Sequence, residues 1–375
     1  MIQLSTYEKV KSGSRITREE GLDLLQNKEF LDLGELANEI RYKKNPKEQV
    51  TFVVDTNPNY TNICNIDCIF CAFYHHPGED GEYTYTVDQM IQNFRNAAAN
   101  GVTTVLLQGG VNPAIPFEYY LELVKRTIEE VPQVHPHFFS TSEIIGMSQV
   151  AQSAMAPGAL ISGLTIQEVL QKLWDVGLRT IPGGGAEILS DRVKKKISHL
   201  KGTSADWLNV MREAHKIGYK TTATMMYGHL ETDEDIIEHL EVIRQLQDEY
   251  HGFTAFIPWS FKPGNTPLHK IIPTYASSTR YLQILALSRI YLDNFDHIQA
   301  SWFSEGKKIG QVALHFGADD FGGTLYEENV HASANFVNKS NTDEVVQIIQ
   351  CAGFTPAQRT TLYNILKVYE GVEIA

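Results

Sequence analysis

The chain has 375 residues, 43% hydrophobic and 21% charged, which is ordinary globular composition and enough length to bury a large core without staples. A formal net charge of −13 argues against a phosphate backbone as partner. Four cysteines, three of them bunched, exclude a disulfide framework and point to a reducing, cytoplasmic setting; the opening residues lack a signal-peptide core, and no stretch is apolar enough to span a bilayer.

In chain order, residues 1–50, with "ITREEGLDLL", read as an N-terminal helical extension. A first strand is expected near 51–55, and it runs into the cysteine stretch "CNIDCIFC". Thr86 and Gln89 form a capping box ahead of a helix whose Val87, Met90, Ile91, Phe94 and Ala97 share one face. Thr165 and Glu168 stand in the same relation, and Ser204 and Thr232 read as N-caps of two more helices. Four times a helical stretch ends at a glycine and a β-rich run follows, as in "AAANGVTTVLLQGG", "LWDVGLRTIPGGG", "AHKIGYKTTATMMYG" and "DEYHGFTAFIPW". Further strands are expected near 103–108, 134–140, 178–182, 220–226, 253–258, 298–302 and 321–325. The basic run "RVKKKISH" (192–199) reads as a solvated helix face. The tail carries "TDEVVQIIQCAGF", an amphipathic helix with Cys351 as a small buried residue. Strands alternating with helices predict an α/β (β/α)8 TIM-type barrel over 51–326, between the extension 1–50 and a C-terminal helical segment, 327–375, packed on it.

In such a barrel the chemistry sits on the loops that follow the strands. The cysteines follow the first strand, and "QGGVNP", "STSE", "PGGGAEI" and "MMYGHLE" follow the second to fifth. Cys64, Cys68 and Cys71 can wrap one inorganic centre. With His75 as fourth ligand, that centre is a structural zinc and the barrel a binding protein. With three thiolates alone, it is a 4Fe–4S cube whose open iron chelates the amino and carboxylate groups of a small molecule.

The spacing C-x3-C-x-aromatic-C, with Phe70 before Cys71, resembles the signature of the radical S-adenosylmethionine (SAM) enzymes. That resemblance implies a 4Fe–4S cluster on Cys64, Cys68 and Cys71, with Phe70 in its shell. It implies Gly109 and Gly110 at the amino group of SAM, and Ser142, Glu143, Glu187 and Arg192 at its ribose and carboxylate. Tyr227 falls at the adenine, and Phe73 joins the cavity wall. The longer stretches "YTNICNIDCIFCAFYHHPG", "TTATMMYGHLET" and "IQASWFSEGKKIGQVALHFGADDFGGTLYEENV" are similar to the dehypoxanthine futalosine cyclase family of the futalosine route to menaquinone. This implies a radical SAM oxidoreductase that takes a hydrogen from C4′ of the substrate ribose and joins that carbon to a benzoate ring. It also implies an external one-electron donor of flavodoxin or ferredoxin type. A sister family, the aminofutalosine synthases, tends to carry acidic residues where this chain has Gly264 and Gly322. For the base that restores the ring's aromaticity, His229, Glu231, Asp319 and Asp320 are the expected residues, with Gln299 beside them.

Overall fold

Runs of β-branched and aromatic residues between glycine-ended helices build a cylinder of parallel strands. The computed structural model describes residues 5–45, 48–153 and 163–370. Its strands are β1 (Gln49–Val53), β2 (Asp55–Thr56), β3 (Thr104–Leu107), β4 (His135–Phe138), β5 (Thr180–Ile181), β6 (Lys220–Tyr227), β7 (Phe253–Ser260), β8 (His297–Ile298), β9 (Asp320–Gly323), β10 (Thr355–Arg359) and β11 (Ile365–Val368). Strands β2 to β8 form one sheet in chain order, every neighbouring pair parallel. β1 and β2 are halves of one strand interrupted at Val54. β1 pairs with β9, and a parallel bridge from Gln299 to Asp320 ties β9 to the end of β8, so the cycle closes. All eight expected barrel strands are present.

The capping boxes at Thr86 and Thr165 form as read, and Thr232 is an N-cap as read, completed by Asp235 into a capping box. Two local readings are corrected. Thr203, not Ser204, caps the helix Ser204–Ile217, because it is the Thr203 hydroxyl that accepts from the Asp206 amide, at 3.2 Å. In "DEYHGF" the left-handed cap falls on His251 (φ 48°), while Gly252 is needed for space: a Cβ there would lie 2.2 Å from the His215 ring.

The N-terminal helices Arg18–Asn27 and Phe30–Lys44 pack on the helices Asp233–Tyr250 and Ser278–Tyr291 of the barrel's outer layer. The tail departs from the expected helical segment. Its helix Thr342–Cys351 is there, with Cys351 exposed rather than buried, because the apolar face is carried by Val345, Val346 and Ile349. After it the chain re-enters the barrel: β10 adds in parallel to β1, β11 turns back antiparallel, and the turn between them enters the lumen. Thr361 Oγ1 there lies 2.9 Å from Thr104 Oγ1 at the start of β3, and the Tyr363 ring stacks on His297 at 3.6 Å. The tail is therefore part of the barrel floor.

Candidate functional site

After β2 the chain crosses the barrel mouth as the cysteine loop, held on several sides by its own backbone. The Cys64 amide donates to His75 O (3.0 Å) and the Asn65 amide to Val111 O (3.0 Å). The Ile69 amide donates to Ile197 O (2.9 Å), and Ile69 O accepts from the Leu268 amide (2.7 Å). Gly110 lets the loop after β3 press against this one, since a Cβ there would lie 2.1 Å from Ile63 O. Cys64 Sγ accepts from the amides of Val111 (3.3 Å) and Ile66 (3.4 Å), so two backbone N–H groups point at the sulfur. Burial pushes the Cys68 thiol up to about 12 and raises Cys71 as well, and Lys201 opposes both shifts. His75, the alternative fourth ligand, turns Nδ1 to Asn62 Nδ2 at 3.0 Å.

Below the loop lies a cavity of about 360 Å³ that occupies the barrel lumen. Phe70, Cys71 and Phe73 line its mouth, and Arg359, Thr361 and Tyr363 of the tail also face it. One wall is the run Gly183–Gly185, where a Cβ at Gly183 would lie 2.5 Å from Thr222 O and one at Gly184 would lie 2.1 Å from Gln108 Nε2. A ligand can therefore lie directly on backbone. Glu187 follows with φ 43°, a strained conformation that turns it into this wall. Its Oε1 accepts from Lys201 Nζ at 2.8 Å, while Oε2 is buried with no partner. Burial alone would lower the Lys201 ammonium, but Glu187 and then Cys68 outweigh it and hold it above its ordinary range. Three thiols, a cation, an unpartnered acceptor and bare backbone suit an iron–sulfur cluster with a zwitterionic nucleoside beside it.

Phe70, Phe73, Gly109, Glu187, Cys71 and Gln299 lie on the cavity wall; the other expected site residues lie behind it or away from it. Glu143 is buried among the Ser140 amide (2.7 Å), Ser140 Oγ (2.6 Å), the Tyr60 hydroxyl (2.7 Å) and the Gly109 amide (3.0 Å). Burial pushes it up to about 7. It braces Gly109 from behind and has no oxygen left for a ligand. Ser142 is buried against Gly185, and Tyr227 gives its hydroxyl to Glu305 (3.3 Å). Arg192 faces out and pairs with Asp235, so the cation on the wall is Lys201 instead. The signal was present in the sequence: the basic run continues to "SHLK", and of its lysines only Lys194 and Lys201 turn inward, Lys194 onto Gly185 O and Ala186 O.

None of the four expected bases lines the cavity. His229 accepts from the Leu230 amide at Nδ1 (2.7 Å) and donates from Nε2 to Met226 O (3.0 Å). Glu231 accepts from the amides of Gly228 (2.6 Å) and His229 (2.8 Å). Asp319 is bound to Arg289, His297 and the Ile298 amide, and Asp320 to Arg359, Thr51 and the Gly322 amide. Their positions at strand ends follow the sequence, but turn amides and buried arginines consume their capacity.

The lumen holds two groups that sequence reading missed, Asp55 and His331, and a third, His137, read from the sequence as a core hydrogen-bonding residue, that lines it as well. Asp55, in β2, is pushed up to about 6 by burial. Its Oδ1 accepts from the Leu325 amide (2.9 Å), and Gly323 leaves it room, since a Cβ there would lie 2.1 Å from Oδ2. A carboxylate closing the apolar run "VTFVVD" was the available signal. His137 and His331 are each held down near 3 by burial and are neutral. His331 stacks with Phe303 at 5.4 Å and lies 5.6 Å from the Trp259 ring.

Residues 58–243 match the family model of the radical SAM superfamily, and residues 250–372 match that of the CofH/MqnC C-terminal region. The chain is 38% identical to the cyclic dehypoxanthine futalosine synthase of Halalkalibacterium halodurans, over 98% of this chain and 96% of that one. It is 37% identical to the aminodeoxyfutalosine synthase of Thermus thermophilus, over 98% and 96%. Its fold matches the crystal structure of methylornithine synthase with a TM-score of 0.71 at 19% identity, over 94% and 97% of the two chains. The thiols at the mouth carry the spacing by which that superfamily holds its 4Fe–4S cluster beside SAM, and the chain belongs to the radical SAM superfamily and, within it, to the family of the cyclic dehypoxanthine futalosine synthases and their aminodeoxyfutalosine synthase relatives.

Proposed function

We propose that this enzyme converts dehypoxanthine futalosine to its cyclic form in menaquinone synthesis, in the reducing cytoplasm. The observation that carries the choice over the sister reaction is the packing at two glycines. A Cβ at Gly322 (φ 90°) would lie 2.6 Å from Gln299 Nε2, and one at Gly264 would lie 1.9 Å from Ala334 O. At Gly264 the acidic side chain that the sister family tends to carry would require the backbone to move, and at Gly322 the left-handed φ strains any residue with a side chain.

When bound, the cluster and SAM supply the radical that takes the C4′ hydrogen of the substrate ribose. Cys64, Cys68 and Cys71 would hold the cluster. Lys201 would receive the SAM carboxylate, Glu187 Oε2 would accept from its ammonium or ribose hydroxyls, and the glycine wall would let both approach backbone. The flat surfaces of Trp259, Phe303 and His331 orient the benzoate ring toward C4′. Asp55 takes the ring proton when aromaticity is restored, and the electron lost with it passes to an oxidised one-electron carrier. Thr361 and Tyr363 close the lumen below and keep water out.

Reconstituted, reduced enzyme incubated anaerobically with SAM and dehypoxanthine futalosine is expected to form 5′-deoxyadenosine and a product two hydrogens lighter than the substrate. Turnover only with the enolpyruvyl-benzoate substrate of the sister enzyme would sink the assignment. Stoichiometric zinc without iron would restore the binding-protein reading.

A further inference from the structure

Within the basic run at 192–199, Lys194 turns onto the glycine wall, but Lys195 and Lys196 have no part in the site, and their position is specific. Ile69, between Cys68 and Cys71, gives its amide to Ile197 O (2.9 Å) and takes the Leu268 amide on its carbonyl (2.7 Å). The two segments that grip the cysteine loop here carry the same surface chemistry. Around Ile197, Lys195, Lys196 and His199 are exposed, with Leu200 54% exposed beside them. Around Leu268, His269 and Lys270 are exposed, with Ile271 59% exposed. In a chain of net charge −13, none of Lys195, Lys196 or Lys270 makes an ion pair among the described residues. Asp191, the acid at the head of the same helix, is engaged by the Ser204 amide at 2.7 Å and pairs with none of these lysines among the described residues. The result is a face of unpaired cations around two exposed aliphatic side chains, joined by single hydrogen bonds to the residue next to Cys68.

We infer that this face is where an acidic one-electron carrier protein docks to reduce the cluster. Unpaired cations steer an acidic partner and fix its orientation, and Leu200 and Ile271 give the encounter an apolar centre. One electron leaves the carrier's reduced centre and enters the cluster, and no bond is made or broken. The inference rests on the superfamily's need for a reductant and not on the cyclisation. If dehypoxanthine futalosine proved not to be the substrate, SAM cleavage would still report on this face.

The test uses full-length reconstituted enzyme, with flavodoxin, its reductase and NADPH as one reductant and dithionite as the other. Deoxyadenosine is measured without a nucleoside substrate. In the variant K196E/K270E the flavodoxin concentration for half-maximal SAM cleavage is expected to rise about tenfold or more, with the dithionite-driven rate unchanged. Flavodoxin binding measured by calorimetry is expected to weaken in parallel, and in the wild type to weaken as salt is raised. The milder K195Q/K196Q is expected to shift in the same direction by less. Equal flavodoxin dependence in variant and wild type would overturn the inference. So would a variant that lost the dithionite-driven rate to the same extent, or one that lost only self-association in sedimentation.

Discussion

Two sets of buried carboxylates sit in one barrel. On the floor side, Asp319 and Asp320 are bound by arginines, His297, Thr51 and backbone amides, so neither keeps an acceptor for a ligand. On the lumen wall, Glu187 keeps Oε2 unpartnered among the described residues, and Asp55 is held by backbone, chiefly the Leu325 amide, with no buried arginine bonded to it there. Both sets lie at ends of β-strands or in the loops that follow them. Spare hydrogen-bonding capacity, rather than position at a strand end, separates a carboxylate that holds the fold from one that meets a ligand.

The largest expected effect tests the floor. Asp319→Asn leaves the Arg289 guanidinium buried without its counter-charge and is expected to cost about 3–5 kcal/mol of stability in denaturant titration. SAM affinity of the protein that remains folded should be unchanged. A loss of SAM binding at full stability would erase the distinction between the two sets.

On the wall the pattern reverses. Glu187→Gln removes a charge-assisted acceptor and is expected to weaken SAM binding by roughly tenfold to a hundredfold, with a smaller loss of stability than Asp319→Asn. Calorimetric titration of SAM into the reconstituted enzyme measures it.

Asp55 offers a pH test with a definite sign. Its folded pKa, about 6, lies above its ordinary 3.8, so the folded state holds the proton more tightly than the unfolded state. The stability this gives is complete below about pH 4 and is lost as pH rises through about 6, on the order of 1–3 kcal/mol. Asp55→Asn should be free of that loss and therefore the more stable protein at pH 8 in thermal melts. As a base, Asp55 works above the same pKa. The wild type should gain cyclised product as pH rises through about 6, while the variant still makes deoxyadenosine but little product. A variant with the wild-type product profile would remove Asp55 from the chemistry.

The smallest effect is at Arg192. Its exposed pairing with Asp235 lies away from the lumen, so Arg192→Ala should change the KM for SAM by less than about twofold, whereas Lys201→Met should raise it by tenfold or more.

The sequence by itself determined the cysteine spacing, the glycine-ended helices, the capping boxes and the order of eight parallel strands. Each is a short-range property, set by neighbouring residues and readable from turn chemistry and periodicity. Only the tertiary structure decided that Lys201 rather than Arg192 reaches the wall, and that Asp319 and Asp320 are saturated while Asp55 is not. Only it showed that the tail re-enters the barrel to close the lumen and that two distant basic segments meet at Ile69. Whether a buried polar atom is left unpaired depends on donors brought from far along the chain. Asp320 meets Arg359 and Asp319 meets Arg289 only after the barrel has closed, so no local pattern could have separated them from Glu187 or Asp55.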